Sequence, residues 1–146
     1  MNPWIYNPKG TNRAGLGMPV RTRKDMPEDA TGFVYRITDP EGKIYIGRKT
    51  LIHSRKKKIT KTEKKQTKTR CTYKKVTTES DWALYFGSCA ELLEKVKSLG
   101  PEHFHREILE FSSSVKHLGY LEVFYQMKFQ VLESPSYNGN ISGKWF

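Results

Sequence analysis

Gly32 to Thr50 reads "GFVYRITDPEGKIYIGRKT", and every larger feature of the chain can be placed relative to it. From Phe33 to Thr38 the residues are mostly β-branched or aromatic, "DPEG" supplies turn chemistry, and "KIYIG" returns as a second strand. The stretch is therefore expected to form a β-hairpin with one tyrosine in each arm, Tyr35 and Tyr45. Parity decides what the phenols can do together, because strand side chains alternate between faces. A four-residue loop at 39–42 would pair Tyr35 with Ile46 and separate the phenols. A loop of odd length, or a bulge, would bring both onto one face. Packing is the ordinary use of such tyrosines.

Outward from the hairpin, charge dominates. The 146 residues carry a formal net charge of +11, with a pI near 9.7, which favours polyanionic partners, nucleic acid before an anionic membrane. No apolar run approaches the roughly 20 residues that span a bilayer. The start "MNPWIYNPKG" lacks the apolar core of a signal peptide. Cys71 and Cys89 stand alone, so neither a disulfide framework nor a zinc site is expected. An intracellular, cytoplasmic protein of one domain fits this composition.

Residues 1–30 hold Pro3, Pro8, Pro19 and Pro27 with Gly10, Gly15 and Gly17, and are expected to form an arm with little regular structure. Trp4, Ile5 and Tyr6 could dock on the body; Arg13, Arg21, Arg23 and Lys24 could follow a phosphate backbone or simply be solvated. The domain proper is expected over 31–146, with a basic loop at 56–78. Residues 48 to 75 hold 13 of the 26 Lys and Arg, opposed only by Glu63. Like-charge repulsion predicts one short turn near 50–56 and then a mobile loop, with Lys61, Lys68, Arg70, Lys74 and Lys75 among its cations. Beyond it, "SCAELLEKVKSLG" reads as a helix with a Ser88/Glu91 capping box, ended by Gly100. "HFHREILEF" reads as a third strand and Val115 to Leu132 as a second long helix. The order β-β-α-β-α predicts an α+β fold, a three-stranded antiparallel sheet flanked by helices.

In this order the features resemble the GIY-YIG nuclease superfamily over about residues 31 to 140. "GFVY" followed by "YIG" is similar to its paired signature, in the variant G-x-[IV]-Y. Members carry an arginine eight residues past the glycine of "YIG", matched here by Arg55. They carry a glutamate early in a late helix, matched by Glu122 in "YLEVFYQMKF", and an asparagine shortly after that helix, matched by Asn138 in "SYNGN". "DWALYFGS" and "FHREIL" look like small free-standing, phage-type members. The resemblance implies a β-β-α-β-α nuclease fold and DNA phosphodiester hydrolysis, of a homing or invasive kind.

The residues can also be weighed without it. Glu122 shares a helix face with Leu118, Tyr125 and Phe129, so its carboxylate must pair, bind a cation or sit at the rim of a cleft. Gln126, or a lysine of the basic tract, could satisfy it instead. A single hard carboxylate suits Mg²⁺, with Mn²⁺ as a substitute, because Mg²⁺ keeps most of its waters. Hydrolysis needs a proton acceptor for water, charge to stabilise the pentavalent phosphate and help for the leaving oxygen. A phenol with a pKa near 10 is a poor base at pH 7, and neighbouring cations or a metal are expected to lower it. Arg48, Lys49 and Arg55 are the local candidates. By resemblance Arg55 contacts the scissile phosphate, with the bidentate geometry of a guanidinium.

One position departs from the family pattern. Many members have a histidine or tyrosine four residues after that arginine, where this chain has Ile59. Tyr85, His53 or Tyr73 could substitute, and Tyr85 is preferred because "DWALYFGS" precedes the first full helix. His105 reads as a strand residue, His103 and His117 as surface groups. Asn138 suits a plain turn in "SYNGN" equally well.

The leading expectation is a small Mg²⁺-dependent endonuclease acting on double-stranded DNA. Tyr35 or Tyr45 would assist proton removal, Glu122 would hold the metal, Arg55 would stabilise the phosphate, and Asn138 would orient the backbone or a water on the metal. Lys56, Lys57, Lys58, Lys64 and Lys65, with Arg48 and Lys49, would hold DNA phosphates. Specificity would come from the arm, the basic loop, DNA structure or a partner protein. The rival is a binding or assembly protein that keeps the fold without cleaving. A basic RNA-binding protein comes third, since neither an RNP-like aromatic motif nor a KH-type GXXG loop is present.

Overall fold

The computed structural model describes residues 2–8, 17–67, 70 and 72–141. Gly10, Arg13, Gly15, Lys68 and Cys71 lie outside the described residues. The strands are β1 (Trp4–Tyr6), β2 (Met18–Val20), β3 (Gly32–Thr38), β4 (Ile44–Thr50), β5 (Ile52–Lys58), β6 (Tyr73–Glu79) and β7 (His105–Ser112). The helices are α1 (Lys61–Thr67), α2 (Ala90–Leu99) and α3 (Val115–Lys128).

The α+β class holds, but the sheet has five strands rather than three, in the order β2-β1-β7-β3-β4. The additional strands come from the segment expected to be irregular. Trp4 is fully buried and donates its indole N–H to the Trp82 carbonyl at 2.7 Å. Arg106 stacks between the Trp4 and Phe86 rings, 4.6 and 4.3 Å from their centroids, and donates to the Asn2 carbonyl. These anchors draw β1 alongside β7 as a parallel neighbour, so the sheet is mixed rather than antiparallel throughout.

β3 and β4 form the expected hairpin, and Thr38 pairs with Ile44, which leaves a connection of odd length, residues 39–43. Buried Asp39 closes it by accepting the backbone N–H groups of Glu41 and Lys43. A bulge in β7 opposite Val34 and Tyr35 turns Ile108 and Phe111 onto one face with Phe33, Tyr35 and Ile37. That face packs under α2 through Leu92, and under Trp82, Phe104 and Leu51. The opposite face, with Val34, Ile46 and Leu109, packs under Leu118, Leu121 and Tyr125 of α3.

The basic tract is neither a turn nor a loop. β5 and β6 pair along their whole lengths as a separate two-stranded ribbon, joined through α1. Every residue of β5 is exposed, so water screens the lysines and the repulsion that disfavours a helix does not prevent extended pairing. The ribbon is tied to the body at its base, where Ser80 donates its N–H to the Leu51 carbonyl at 2.8 Å and its hydroxyl to the Thr50 carbonyl at 2.6 Å.

Two helix boundaries also differ from expectation. Ser88 does not cap α2; Cys89 is the capping residue, without a side-chain bond, and the Ser88 hydroxyl is directed to Tyr45 instead. α3 ends at Lys128, short of Leu132. Gly100 does end α2, at φ +94°. Among the described residues no helix is long and apolar enough to cross a membrane.

Candidate active site

The odd connection places Tyr35 opposite Gly47 and Tyr45 opposite Ile37, so both phenols lie on the α2 face. Their ring centroids are 6.1 Å apart. Tyr85 completes a trio, its ring edge-on to Tyr35 at 5.8 Å, and Arg106 fixes the Tyr85 segment by donating to the Ala83 and Tyr85 carbonyls at 3.1 and 2.8 Å. Tyr85, rather than His53 or Tyr73, is thus the candidate that lies beside the hairpin tyrosines.

Gly47 is what lets the trio assemble. A Cβ built on it would collide with the Tyr35 hydroxyl and lie 2.7 Å from Cζ. Tyr35 therefore reaches over bare backbone at the edge of β4. Around that edge, on the α3 face, lies Glu122. Arg48 passes over Gly119 of α3, where a Cβ would stand 2.7 Å from Nη1, and brings its Nε to 3.8 Å from the Glu122 carboxylate. The carboxylate is 13% exposed, and Arg48 is its ion-pair partner among the described residues. On the other side of β4, Lys49 donates to Asp81 at 2.6 Å and lies 3.9 Å from the Tyr85 ring centroid.

The phenols are not acidified. Burial drives the Tyr35 pKa well above its ordinary value, with Tyr85, Tyr45 and the Glu122 charge adding to the rise. Burial also raises Tyr45, with Tyr85 and Glu122 contributing, but the Ser88 hydroxyl at 3.1 Å opposes the shift by supporting the anion. The lowering expected from the neighbouring cationic side chains is thus reversed. Lys49 is engaged by Asp81, and Arg48 by Glu122, while desolvation penalises phenolate directly.

Asn138 is neither a plain turn residue nor free in the cleft. Its amide accepts the Ile46 N–H at 2.9 Å and donates to the Ile46 carbonyl at 2.8 Å. It acts as a substitute strand partner, sealing the outer edge of β4 beside Gly47. Arg55 lies in the ribbon, opposite Val76, and no described hydrogen bond, ion pair or ring contact joins it to Tyr35, Tyr45 or Glu122. His53 and Tyr73 are also in the ribbon. Lys56, Lys57 and Lys58 lie on β5, Lys64 and Lys65 on α1, all exposed.

Sequence reasoning missed the roles of Ser88 and Arg106. The small pair Gly87-Ser88 was readable as a turn before α2, but its use by Tyr45 depends on tertiary approach. Arg106 gave no signal, because an arginine between His105 and Glu107 reads as strand surface.

Two tyrosines of one hairpin with a third beside them, and an arginine–glutamate pair at the open strand edge, are the polar groups that this α+β domain gathers about β4. A sequence model of the family described as "Putative endonuclease segE, GIY-YIG domain" matches residues 18–142. The chain belongs to this family and so to the GIY-YIG nuclease superfamily. No curated protein matches it, and no solved structure does.

Proposed function

We propose that the chain is a divalent-metal-dependent DNA endonuclease that hydrolyses phosphodiester bonds at the edge of β4. The observation that carries this reading is the convergence of Tyr35, Tyr45, Tyr85, Arg48 and Glu122 around Gly47, supported by membership of an endonuclease family.

Among the described residues no group of three His, Cys, Asp or Glu side chains gathers to cage a metal. The donor set fits Mg²⁺ or Mn²⁺ in another way. Glu122 offers one half-buried carboxylate held only at ion-pair distance by Arg48, and Mg²⁺ takes few protein ligands and keeps its waters. A cation held by Glu122 would supply Lewis-acid stabilisation of the phosphate charge.

The remaining roles belong to the chain. Tyr45, with Ser88 supporting its anion, accepts the proton of the attacking water. Tyr35, the more deeply buried phenol, stays protonated and donates a hydrogen bond to phosphate oxygen. Arg48 stabilises the charge that grows on the phosphate. Asn138 keeps Ile46 and Gly47 in register so that Tyr35 keeps its position. The β5–β6 ribbon approaches the DNA flanking the scissile bond.

Incubating supercoiled plasmid with the protein and Mg²⁺, with EDTA as control, tests the reading. Nicked or linear DNA that forms only with the metal is the expected result. Binding without cleavage is the second reading, favoured by the Glu122 ion pair going to Arg48 rather than to Arg55 and by the commitment of the Asn138 amide to the Ile46 backbone. Intact plasmid with retained binding would establish it.

A further inference from the structure

The ribbon has two unlike faces. Residues paired across antiparallel strands point to the same side. The pairs Ser54–Thr77, Lys56–Lys75 and Lys58–Tyr73 therefore share one face, beyond Ile52–Glu79 at its base, and Arg55–Val76 and Lys57–Lys74 share the other, beyond His53–Thr78. The second face meets α1 only on its β6 side, while Arg55 and Lys57 are exposed. Lys74 is ion-paired with Glu63 of that helix, and Lys74 and Val76 are the two half-covered residues of β6. Thr60 caps the helix start by accepting the Glu63 N–H at 3.2 Å. The six side chains of the first three pairs are all exposed.

These six combine three lysines, two hydroxyls and one phenol, and the carboxylate of the face, Glu79 at the base, accepts from the Trp82 indole N–H at 2.8 Å. The lysines match phosphates, and the Ser54, Thr77 and Tyr73 hydroxyls can donate to or accept from base edges. Each strand has seven residues, roughly 23 Å at about 3.3 Å per residue. A two-stranded ribbon of this kind fits the major groove of B-DNA, about 12 Å wide and about 8.5 Å deep. The base of the ribbon is fixed, since Leu51 is fully buried and separates it by one residue from β4, which carries Arg48 and Lys49.

We propose that this face (Ser54, Lys56, Lys58, Tyr73, Lys75 and Thr77) enters the major groove of the DNA substrate, with Lys56, Lys58 and Lys75 on phosphates and the hydroxyl-bearing side chains at base edges. The proposal rests on the endonuclease reading and adds where specificity resides. The ribbon, rather than the N-terminal segment, selects the site, and α1 braces its β6 side.

Binding to duplex DNA in EDTA, measured across salt concentrations, tests it. Lys56→Ala/Lys58→Ala/Lys75→Ala should flatten the slope of log affinity against log salt by about 2.7, at about 0.9 per phosphate contact. Lys57→Ala/Lys64→Ala/Lys65→Ala removes the same charge from the second face and helix and should flatten it by about 0.9 at most. The corresponding Lys→Gln sets, checked by circular dichroism, preserve side-chain length and guard against misfolding. Ser54→Ala/Tyr73→Ala should leave the slope unchanged and broaden the sequences selected from a randomised duplex pool. Methylation of guanine N7, which lines the major groove, should interfere with binding. Equal flattening by both lysine sets, indifference to N7 methylation, or equally tight binding to duplex RNA, whose major groove is too narrow, would overturn the proposal and leave the nuclease reading standing. Failure of the wild-type protein to bind DNA at all would remove that reading, and the proposal with it.

Discussion

The hydroxyl of Tyr35 lies over the backbone of Gly47, its partner across the β3–β4 ladder, so strand edge and phenol occupy space that a side chain at 47 would fill. Gly47→Ala should therefore displace the Tyr35 ring and strain the edge. Overpacking of this kind costs about 1–3 kcal/mol, readable as a lower urea midpoint. Cleavage should fall further than stability explains, because the displaced ring also disturbs Tyr45 and Tyr85. Wild-type nicking by Gly47→Ala would show that Tyr35 has room to move and is not held for chemistry.

Glu122→Gln should abolish plasmid nicking and leave DNA affinity close to wild type, since it removes the carboxylate that would hold the cation and leaves the ribbon intact. Arg48→Ala should lower the single-turnover rate on bound DNA by about 10²–10³, the scale of one lost charge-stabilising group. Arg55→Ala should lower that rate less. The reverse order of the two arginines would assign the phosphate to Arg55.

Cleavage should rise with pH. An acceptor works only when deprotonated, and the Tyr45 pKa is raised by burial, so the active fraction grows about tenfold per pH unit below that pKa. Single-turnover rates from pH 7 to 9 should follow this slope. Tyr45→Phe should flatten it and lower the rate by about 10²–10⁴. Ser88→Ala removes the group that opposes the shift and should move the rising limb to higher pH.

The β3–β4 turn carries an acid-sensitive contact. The Asp39 side chain is buried and accepts from the Tyr137 hydroxyl at 2.6 Å and from Lys95 at 3.1 Å. Burial alone would raise its pKa, but hydrogen bonds from Tyr137, the Lys43 backbone, Lys95 and the Glu41 backbone outweigh it and lower it. The folded pKa thus lies below the unfolded one. The stabilisation is fully present above the unfolded pKa, about 3.9, and is lost as pH falls through the folded value. Asp39→Asn should cost about 1–3 kcal/mol at pH 7 and make unfolding below pH 4 less steep. Because Tyr137 adjoins Asn138, amide exchange at Ile46 should quicken too.

The hairpin was legible because its information is local. β-branched and aromatic runs, turn residues and the Tyr35–Tyr45–Gly47 pattern all lie in one short window, and parity was reduced to one number, the loop length. That Trp4, Ile5 and Tyr6 could dock on the body was legible, but their pairing as a strand beside β7 was not, because Trp4 and Arg106 are a hundred residues apart and neither has local periodicity. The ribbon was missed for a different reason. Charge repulsion argues against a helix but says nothing against an exposed β-ladder, whose lysines alternate sides. Arg55 shows the limit of counting from a motif: its offset from Gly47 matches the family, yet its place in an exposed ribbon was not readable from that offset, and neither was the pairing of Glu122 with Arg48.

The ribbon leaves and rejoins the body at a single point, where the Leu51 carbonyl takes the Ser80 N–H. Everything from Ile52 to Glu79 is thus a closed excursion whose two ends are already adjacent. Such a segment can be shortened, lengthened or exchanged for another without moving β4, α3 or the tyrosines. Under the roles proposed for ribbon and body it is, in evolutionary terms, a cassette, able to acquire new target sequences while the chemistry stays constant.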